Sequence, residues 1–136
     1  MKKLYRAAAA FAVLMAAFLL TACPGGGGPA TITLSGDVTC TPPVTVSGTV
    51  QNVGGTTLHI SATVKCSGTG IAGVMLNGTL PVATGNINHS WGPTDGNGTA
   101  TTTLDISNVA IVPASFHVIV KDKDGNVVKD EPITIQ

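Results

Sequence analysis

The segment VTVSGTVQNVGGTTLHISATVKC, residues 44–66, decides the fold because its apolar residues recur at even-numbered positions on both sides of one turn. These residues are Val44, Val46 and Val50 before the turn and Leu58, Ile60, Ala62 and Val64 after it. A period of two is typical of a strand with one buried face. Asn52-Val53-Gly54-Gly55 predicts a hairpin turn between two such strands. Because opposed residues share a face, the two even-numbered sets must pair with each other, which requires a three-residue loop.

The register of this hairpin bears on two of the cysteines. If the loop comprises residues 52–54, Cys66 lies opposite Cys40. Pro42-Pro43 lies between Cys40 and the hairpin, and proline cannot donate a hydrogen bond to a strand ladder. The alternative is that the strands belong to different sheets and the two cysteines bridge across the core.

The rest of the chain after residue 29 continues the strand pattern, and helix patterns are absent from it. We expect further strands at residues 30–38, 71–82, 99–106, 115–121 and 127–136, turns at 94–98 and 122–126, and an irregular segment at 83–93 around Trp91. Asn77-Gly78 offers an alternative, since this dipeptide could split residues 71–82 into a tight hairpin. About seven short strands with frequent turns predict an all-β sandwich.

Composition after residue 22 limits both the core and the partners. Trp91 and Phe116 are the only aromatic residues there, so the core must be built mainly from Val, Ile, Leu and Ala. Four of the seven basic residues lie in this part, against all seven acids, which leaves a net charge of −3. Without a basic cluster, we expect no nucleic-acid partner.

Residues 1–22 have the organisation of an export signal. Three basic residues among the first six precede an uninterrupted apolar run from Ala7 to Leu20, and the small residues Thr21 and Ala22 follow. The run is shorter than the roughly 20 residues that a membrane-spanning helix needs. We therefore expect a signal helix that is removed from the mature protein.

Leu20-Thr21-Ala22-Cys23 resembles the lipobox of bacterial lipoproteins. The resemblance implies that the chain is cut before Cys23, whose sulfur carries a diacylglyceryl group, with a further acyl chain on the new N-terminus. Several acyl chains together anchor a protein stably. In this family an Asp after the cysteine favours the inner membrane, and Pro24 stands there instead, so the outer membrane is favoured. The alternative is an ordinary cleaved signal with an incidental cysteine.

Residues 23–29 contain four consecutive glycines and predict a flexible tether, and we expect residues 30–136 to form the domain. The chain has three cysteines, and acylation of Cys23 leaves Cys40 and Cys66. Because export places them in an oxidising compartment, we expect these two to form a disulfide. Two free thiols or a pair of metal ligands are the competing interpretations.

Ile71-Ala72-Gly73-Val74, followed by TDGNGTATTTL at residues 94–104, resembles bacterial immunoglobulin-like domains of the invasin and intimin type. The segment Val46 to Gly55 is similar to other immunoglobulin-like modules found outside the cytoplasm. The resemblance covers about residues 45–136 and implies an immunoglobulin-like β-sandwich. Such domains serve as spacers, adhesion stalks or binding modules, so it implies no catalysis.

Two patterns could carry chemistry. Asp122, Asp124 and Asn126 alternate as in the opening of a calcium loop, but no glutamate stands at the distance that such a loop requires, so we expect a plain turn. The three histidines, His59, His89 and His117, are scattered, and we expect them at the surface. We therefore expect no catalytic residue, no metal site and no cofactor.

Two functions follow from these patterns. The preferred one is a lipid-anchored, non-catalytic protein of the cell envelope that binds a protein or glycan, or has a structural role. It predicts an exposed sheet edge or apolar patch on the side facing away from the tether. The alternative is a small ligand- or metal-binding module or minimal hydrolase, which requires His89, Trp91 and Asp95 to converge on a pocket.

Overall fold

The computed structural model describes residues 30–136, which form an all-β structure without helices. The expected signal helix and the tether lie outside the described residues. The strands are β1 (Ile32–Leu34), β2 (Val38–Cys40), β3 (Val44–Val53), β4 (Thr57–Cys66), β5 (Thr69–Gly70), β6 (Leu76–Val82), β7 (Gly85–Trp91), β8 (Thr99–Asp105), β9 (Ser115–Lys121) and β10 (Val127–Thr134).

Two antiparallel sheets enclose one core, as in a β-sandwich. The first, called the β9 sheet, has the strand order β10-β9-β6-β7. The second, called the β4 sheet, places β4 between β3 and β8, with the short β5 beside the end of β4. Alternate side chains of both sheets enter a single buried cluster, as strands with one solvated face require.

The β3–β4 hairpin confirms the expected parity and loop length. Even-numbered residues pair with even-numbered residues, for example Val46 with Val64. The loop begins two residues later than residues 52–54, because Val53 pairs with Thr57. Gly54 and Gly55 have φ angles of 65° and 77°, a region that favours glycine, so both must lie in the loop. The expected register was therefore wrong, and Cys66 faces Val44.

The single strand expected at residues 30–38 is wrong, because β1 and β2 form a hairpin of their own. The chain reverses at Gly36 and Asp37, whose φ angles of 99° and 60° end the extended conformation. The fully buried Leu34 anchors this hairpin in the core. The amide of Ser35 donates a hydrogen bond to the carbonyl of Lys121 (2.9 Å), which joins the hairpin to the end of β9.

The irregular segment expected at residues 83–93 is also wrong, because residues 85–91 form β7. This strand pairs with β6 along its whole length, from Val82–Gly85 to Leu76–Trp91. Its sequence concealed the pairing, since in this edge strand Ile87 and Trp91 are the only large apolar residues. The two-residue connection that creates the hairpin lies at residues 83–84, and β6 is not split at Gly78.

The strands expected near residues 99–106, 115–121 and 127–136 and the two turns are confirmed. The core contains both aromatic residues, with the ring centroids of Trp91 and Phe116 6.1 Å apart. The buried hydroxyl of Thr94 links the segment before β6 to the segment after β7. The Oγ1 of Thr94 donates to the carbonyl of Ile71 (2.6 Å) and accepts the amide of Val74 (3.0 Å).

The sandwich has two distinct ends. At the residue-30 end, the amide of Lys123 in the β9–β10 turn donates to the carbonyl of Thr33 in β1 (2.9 Å). At the far end lie the β3–β4 turn, the β6–β7 turn and the loop between β8 and β9, residues 106–114. Because β9 runs from the far end to the residue-30 end, the two are separated by seven strand residues, roughly 20 Å.

Candidate binding site

An apolar cleft of about 590 Å³ opens at the far end, between the β6–β7 turn and the β8–β9 loop. Val82 and Ile87 line one wall, Val109 and Ile111 line the other, and Ile106 lies between them. Ile111 is 82% exposed, which is unusual for a large apolar side chain. Apolar surface collected at one end of a small domain commonly marks an interaction site.

The β8–β9 loop forms its wall because one of its ends is attached to the β3–β4 turn and the other to the residue that follows β10. The amide of the buried Ile106 donates to the carbonyl of Thr56 (2.8 Å). The carbonyl of Ala114 accepts the amide of Ile135 (2.9 Å). The residues between these attachments include Val109, Ala110, Ile111 and Val112, whose side chains are only partly buried or exposed.

Below the cleft, side-chain contacts close the seam between β7 and β8. The Nε2 of His89 lies 2.9 Å from the Oγ1 of Thr102, and the Nε1 of Trp91 donates to the carbonyl of Ala100 (3.4 Å). The imidazole stacks on the indole, with ring centroids 5.8 Å apart. The seam between β7 and β8 is therefore closed at His89 and Trp91 and opens into the cleft at Ile87, nearer the far end.

The alternative site built on His89, Trp91 and Asp95 is brought together only in part. Asp95 directs its carboxylate into its own turn, where it accepts the amides of Asn97 (2.9 Å) and Thr99 (3.0 Å). The far-end cleft and the two smaller cavities described among residues 30–136 are lined by none of the three residues. Their geometry therefore does not favour the ligand, metal or hydrolase interpretation.

A disulfide joins Cys40 to Cys66, as expected, with Cα atoms 5.7 Å apart. The route differs from the expected one, because the two residues are not opposed in one ladder. Cys40 ends β2, which pairs with β1, whereas Cys66 ends β4 in another sheet. The bond therefore fastens the β1–β2 hairpin to the β4 sheet. Cys23 lies outside the described residues.

The calcium-like sequence forms a closed turn in which Asp122 is the central acceptor. Its carboxylate binds the side chain of Asn126 (3.0 Å) and accepts the amides of Asn126 (2.8 Å) and Asp124 (2.9 Å). The side-chain hydrogen bond from Asn126, followed by the backbone one, holds the pKa of Asp122 below its usual value. Within residues 30–136, no three potential metal ligands of the His, Cys, Asp or Glu type converge.

The other two histidines lie on outer faces of the sheets. His59 is exposed on β4. The Nδ1 of His117 on β9 lies 2.8 Å from a carboxylate oxygen of Asp130 on β10. This exposed pair joins neighbouring strands and has no further titratable partner among the residues that line the adjacent small cavity.

Sequence reasoning did not locate the cleft. A signal was present, since Val109-Ala110-Ile111-Val112 is an apolar run outside every expected strand. The other wall depends on β7, which was expected to be irregular.

No protein family model, no curated protein and no solved structure matches this chain. Residues 30–136 include no helix with the length and apolar character needed to cross a membrane.

Proposed function

We propose that this chain is a lipid-anchored protein of the cell envelope whose β-sandwich is a non-catalytic binding or structural module. The lipid would be attached at Cys23, with the outer membrane favoured by Pro24. The far-end cleft would contact a protein or glycan partner. The observation that carries the proposal is the polarity of the sandwich. Residue 30, where the glycine-rich segment joins, and the apolar cleft lie at opposite ends.

This polarity matters because, in an anchored protein, the end farthest from the attachment point is the most accessible to a partner. A tether at residues 23–29 would hold the residue-30 end nearest the lipid. The exposed Ile111 would then lie roughly 20 Å further out, at the height of the far end. An apolar patch in that position is what the binding interpretation of the sequence predicts.

We also infer that the sandwich is immunoglobulin-like. The strand orders support this, with β3-β4-β8 corresponding to strands A, B and E and β10-β9-β6-β7 corresponding to G, F, C and C′. The disulfide departs from the antibody arrangement, since it joins β2 to β4 instead of connecting strands B and F. With these correspondences the far end carries the A–B, C–C′ and E–F loops, whereas antibodies bind through the loops at the other end, so the proposed site rests on the cleft and not on the antibody arrangement.

The anchor is tested with Cys23→Ser and the unchanged chain, expressed in parallel and separated into membrane and soluble fractions at high salt. We expect the unchanged chain to pellet with the envelope and the variant to become soluble. Intact mass of the extracted protein should show loss of residues 1–22, added acyl chains and the two-proton loss of the Cys40–Cys66 disulfide. If the variant still pellets at high salt, the lipid anchor at Cys23 is refuted.

A further inference from the structure

Strand β7 forms an edge of the β9 sheet that no other strand of residues 30–136 covers. One side pairs with β6 in an unbroken register from Gly85 to Trp91. On the other side, the contacts to β8 are made by the side chains of His89 and Trp91. Backbone groups on that side are therefore available to a further strand in the part of β7 before His89, at residues 85–88.

The opposite side of the sandwich shows how this fold covers an edge. The amide of Gln136 donates to the carbonyl of Val50 (2.9 Å), and the amide of Asn52 donates to the carbonyl of Gln136 (2.8 Å). These bonds join β3 to the end of the β10 segment. Strand β10 itself has a bulge after Val127 and a proline, Pro132.

Charge and proline are common means of preventing an edge strand from pairing with another chain. Strand β10 carries both, including an ion pair between Lys129 and Glu131 (3.2 Å). Strand β7 has no charged residue, no proline and no bulge. Of the two edges of the β9 sheet, the unprotected one is therefore β7, on the side where the cleft opens.

The edge and the cleft are continuous at Ile87. This residue pairs with the buried Leu80, so its side chain is on the inner face of the sheet, and it also lines the cleft. Inward side chains of a strand added beside β7 would enter the same space. The β8 edge is less accessible there, because the chain continues from Asp105 directly into the loop that forms the other wall.

We propose that the far end binds an extended peptide segment with apolar residues at alternate positions, which adds to β7 as a further strand and inserts those residues into the cleft. In strand addition, main-chain hydrogen bonds supply affinity and pockets for alternate side chains supply specificity. A volume of about 590 Å³ is within the range of peptide and small-ligand pockets. Asp105 is the one charged residue that lines the cleft, so an acidic segment is disfavoured. This inference rests on the binding role proposed above and names its partner class.

The test uses the full chain, purified in mild detergent, and a display library of random peptides of about nine residues, the length of a strand that spans β7. We expect enriched peptides to alternate apolar and polar residues. The best peptide is then synthesised in two forms, N-methylated at the odd or at the even backbone amides. Strand addition uses one edge of the peptide, so one form should lose at least about tenfold in affinity and the other should retain most of it.

Variants of the protein locate the site. Ile87→Lys places a charge on the inward face of the edge, and we expect it to weaken binding at least about tenfold. Thr45→Lys adds the same charge at an exposed position of β3, in the other sheet, and should leave affinity within about twofold. Ile111→Ser changes an exposed side chain and should weaken binding without lowering the melting temperature. Trp91 fluorescence and thermal melting report whether each variant is folded.

Three results would overturn the inference. Equal loss with both N-methylated forms would indicate a side-chain contact without strand addition. Unchanged affinity in a folded Ile87→Lys variant would place the peptide elsewhere. Dimerisation of the full chain that Ile87→Lys abolishes would show that a second copy occupies the edge. None of these results bears on the Cys23→Ser fractionation, so failure here is distinguishable from failure of the proposed anchor.

Discussion

Gly78 is expected to be indispensable because its missing side chain makes room for both core aromatic rings. It lies in the middle of β6, on the inner face, where it pairs with His89 and Val118. A Cβ built there would overlap the ring of Phe116 and would lie 2.9 Å from the Cζ3 of Trp91. We therefore expect Gly78→Ala to destabilise the fold strongly, although alanine is otherwise a mild substitution in a strand.

The expected loss of stability follows from the two aromatic rings that would have to move to admit the new Cβ. Phe116 is fully buried and Trp91 is nearly so, and neither ring is the free end of a flexible side chain. Overpacking a closely packed core typically costs about 1–3 kcal/mol, and two obstructing rings place this site near the upper limit. A loss of about 3 kcal/mol in a domain of this size lowers the melting temperature by roughly 10–20 °C.

The assay is urea and thermal unfolding followed by far-UV circular dichroism, with Gly96→Ala as the control. A Cβ at Gly96 meets nothing within 4 Å, so that variant should change stability by no more than about 0.5 kcal/mol. Combining Gly78→Ala with Phe116→Leu should recover about 1–2 kcal/mol relative to the sum of the single effects, since the smaller side chain relieves the overlap.

A Gly78→Ala variant as stable as the Gly96→Ala control would refute this account. It would mean that the rings do not approach β6 as described. It would also reopen the interpretation in which Asn77-Gly78 forms a hairpin turn.

Three further perturbations test other parts of the fold. Replacing both Cys40 and Cys66 by alanine opens a loop with a sequence separation of 26, and chain entropy predicts a loss of about 3.5 kcal/mol in urea unfolding; a loss below about 1 kcal/mol would contradict this. Thr94→Val keeps the shape of the side chain but removes the hydroxyl that satisfies the partly buried carbonyl of Ile71 and the buried amide of Val74. The free energy of unfolding should therefore fall by about 2–4 kcal/mol, and an unchanged value would show that water replaces the hydroxyl. The pKa of Asp122 is lower in the folded state than in the unfolded chain. Asp122 therefore stabilises the fold fully at pH values above its unfolded pKa of about 4, and this stabilisation is lost as the pH falls through the lowered, folded-state pKa. Asp122→Asn should therefore reduce the fall in melting temperature on acidification, whereas Asp124→Asn, at a carboxylate that binds only a lysine and no backbone amide, should leave it unchanged.

Local pattern predicted most strands but not their register. The alternation in β3, β4 and β9 is a property of consecutive residues, and those strands appear where expected. The loop of the β3–β4 hairpin was displaced by two residues because Gly54 and Gly55 both adopt positive φ. Parity alone allows several registers two residues apart, and only turn geometry chooses among them.

Edge strands were the hardest elements to recognise. Strand β7 has only two large apolar residues, Ile87 and Trp91, so its sequence lacks the alternation that identifies β4. Its existence depends on β6, which supplies a complete backbone partner. The candidate cleft shares this origin, because one wall needs β7 and the other needs a loop held at both ends by distant strands.

The sequence by itself determined the all-β class, the inward residues of the regular strands, the principal turns and the pairing of Cys40 with Cys66. Each of these depends on the order of residues along a short segment or, for the cysteines, on the expectation that Cys23 is acylated and leaves only Cys40 and Cys66 to pair. The tertiary structure decided the hairpin registers, the open edge at β7, the closeness of Gly78 to two rings and the far-end cleft. Those features arise where residues far apart in the chain meet, and contacts of that kind leave no periodic signal in the residues that make them.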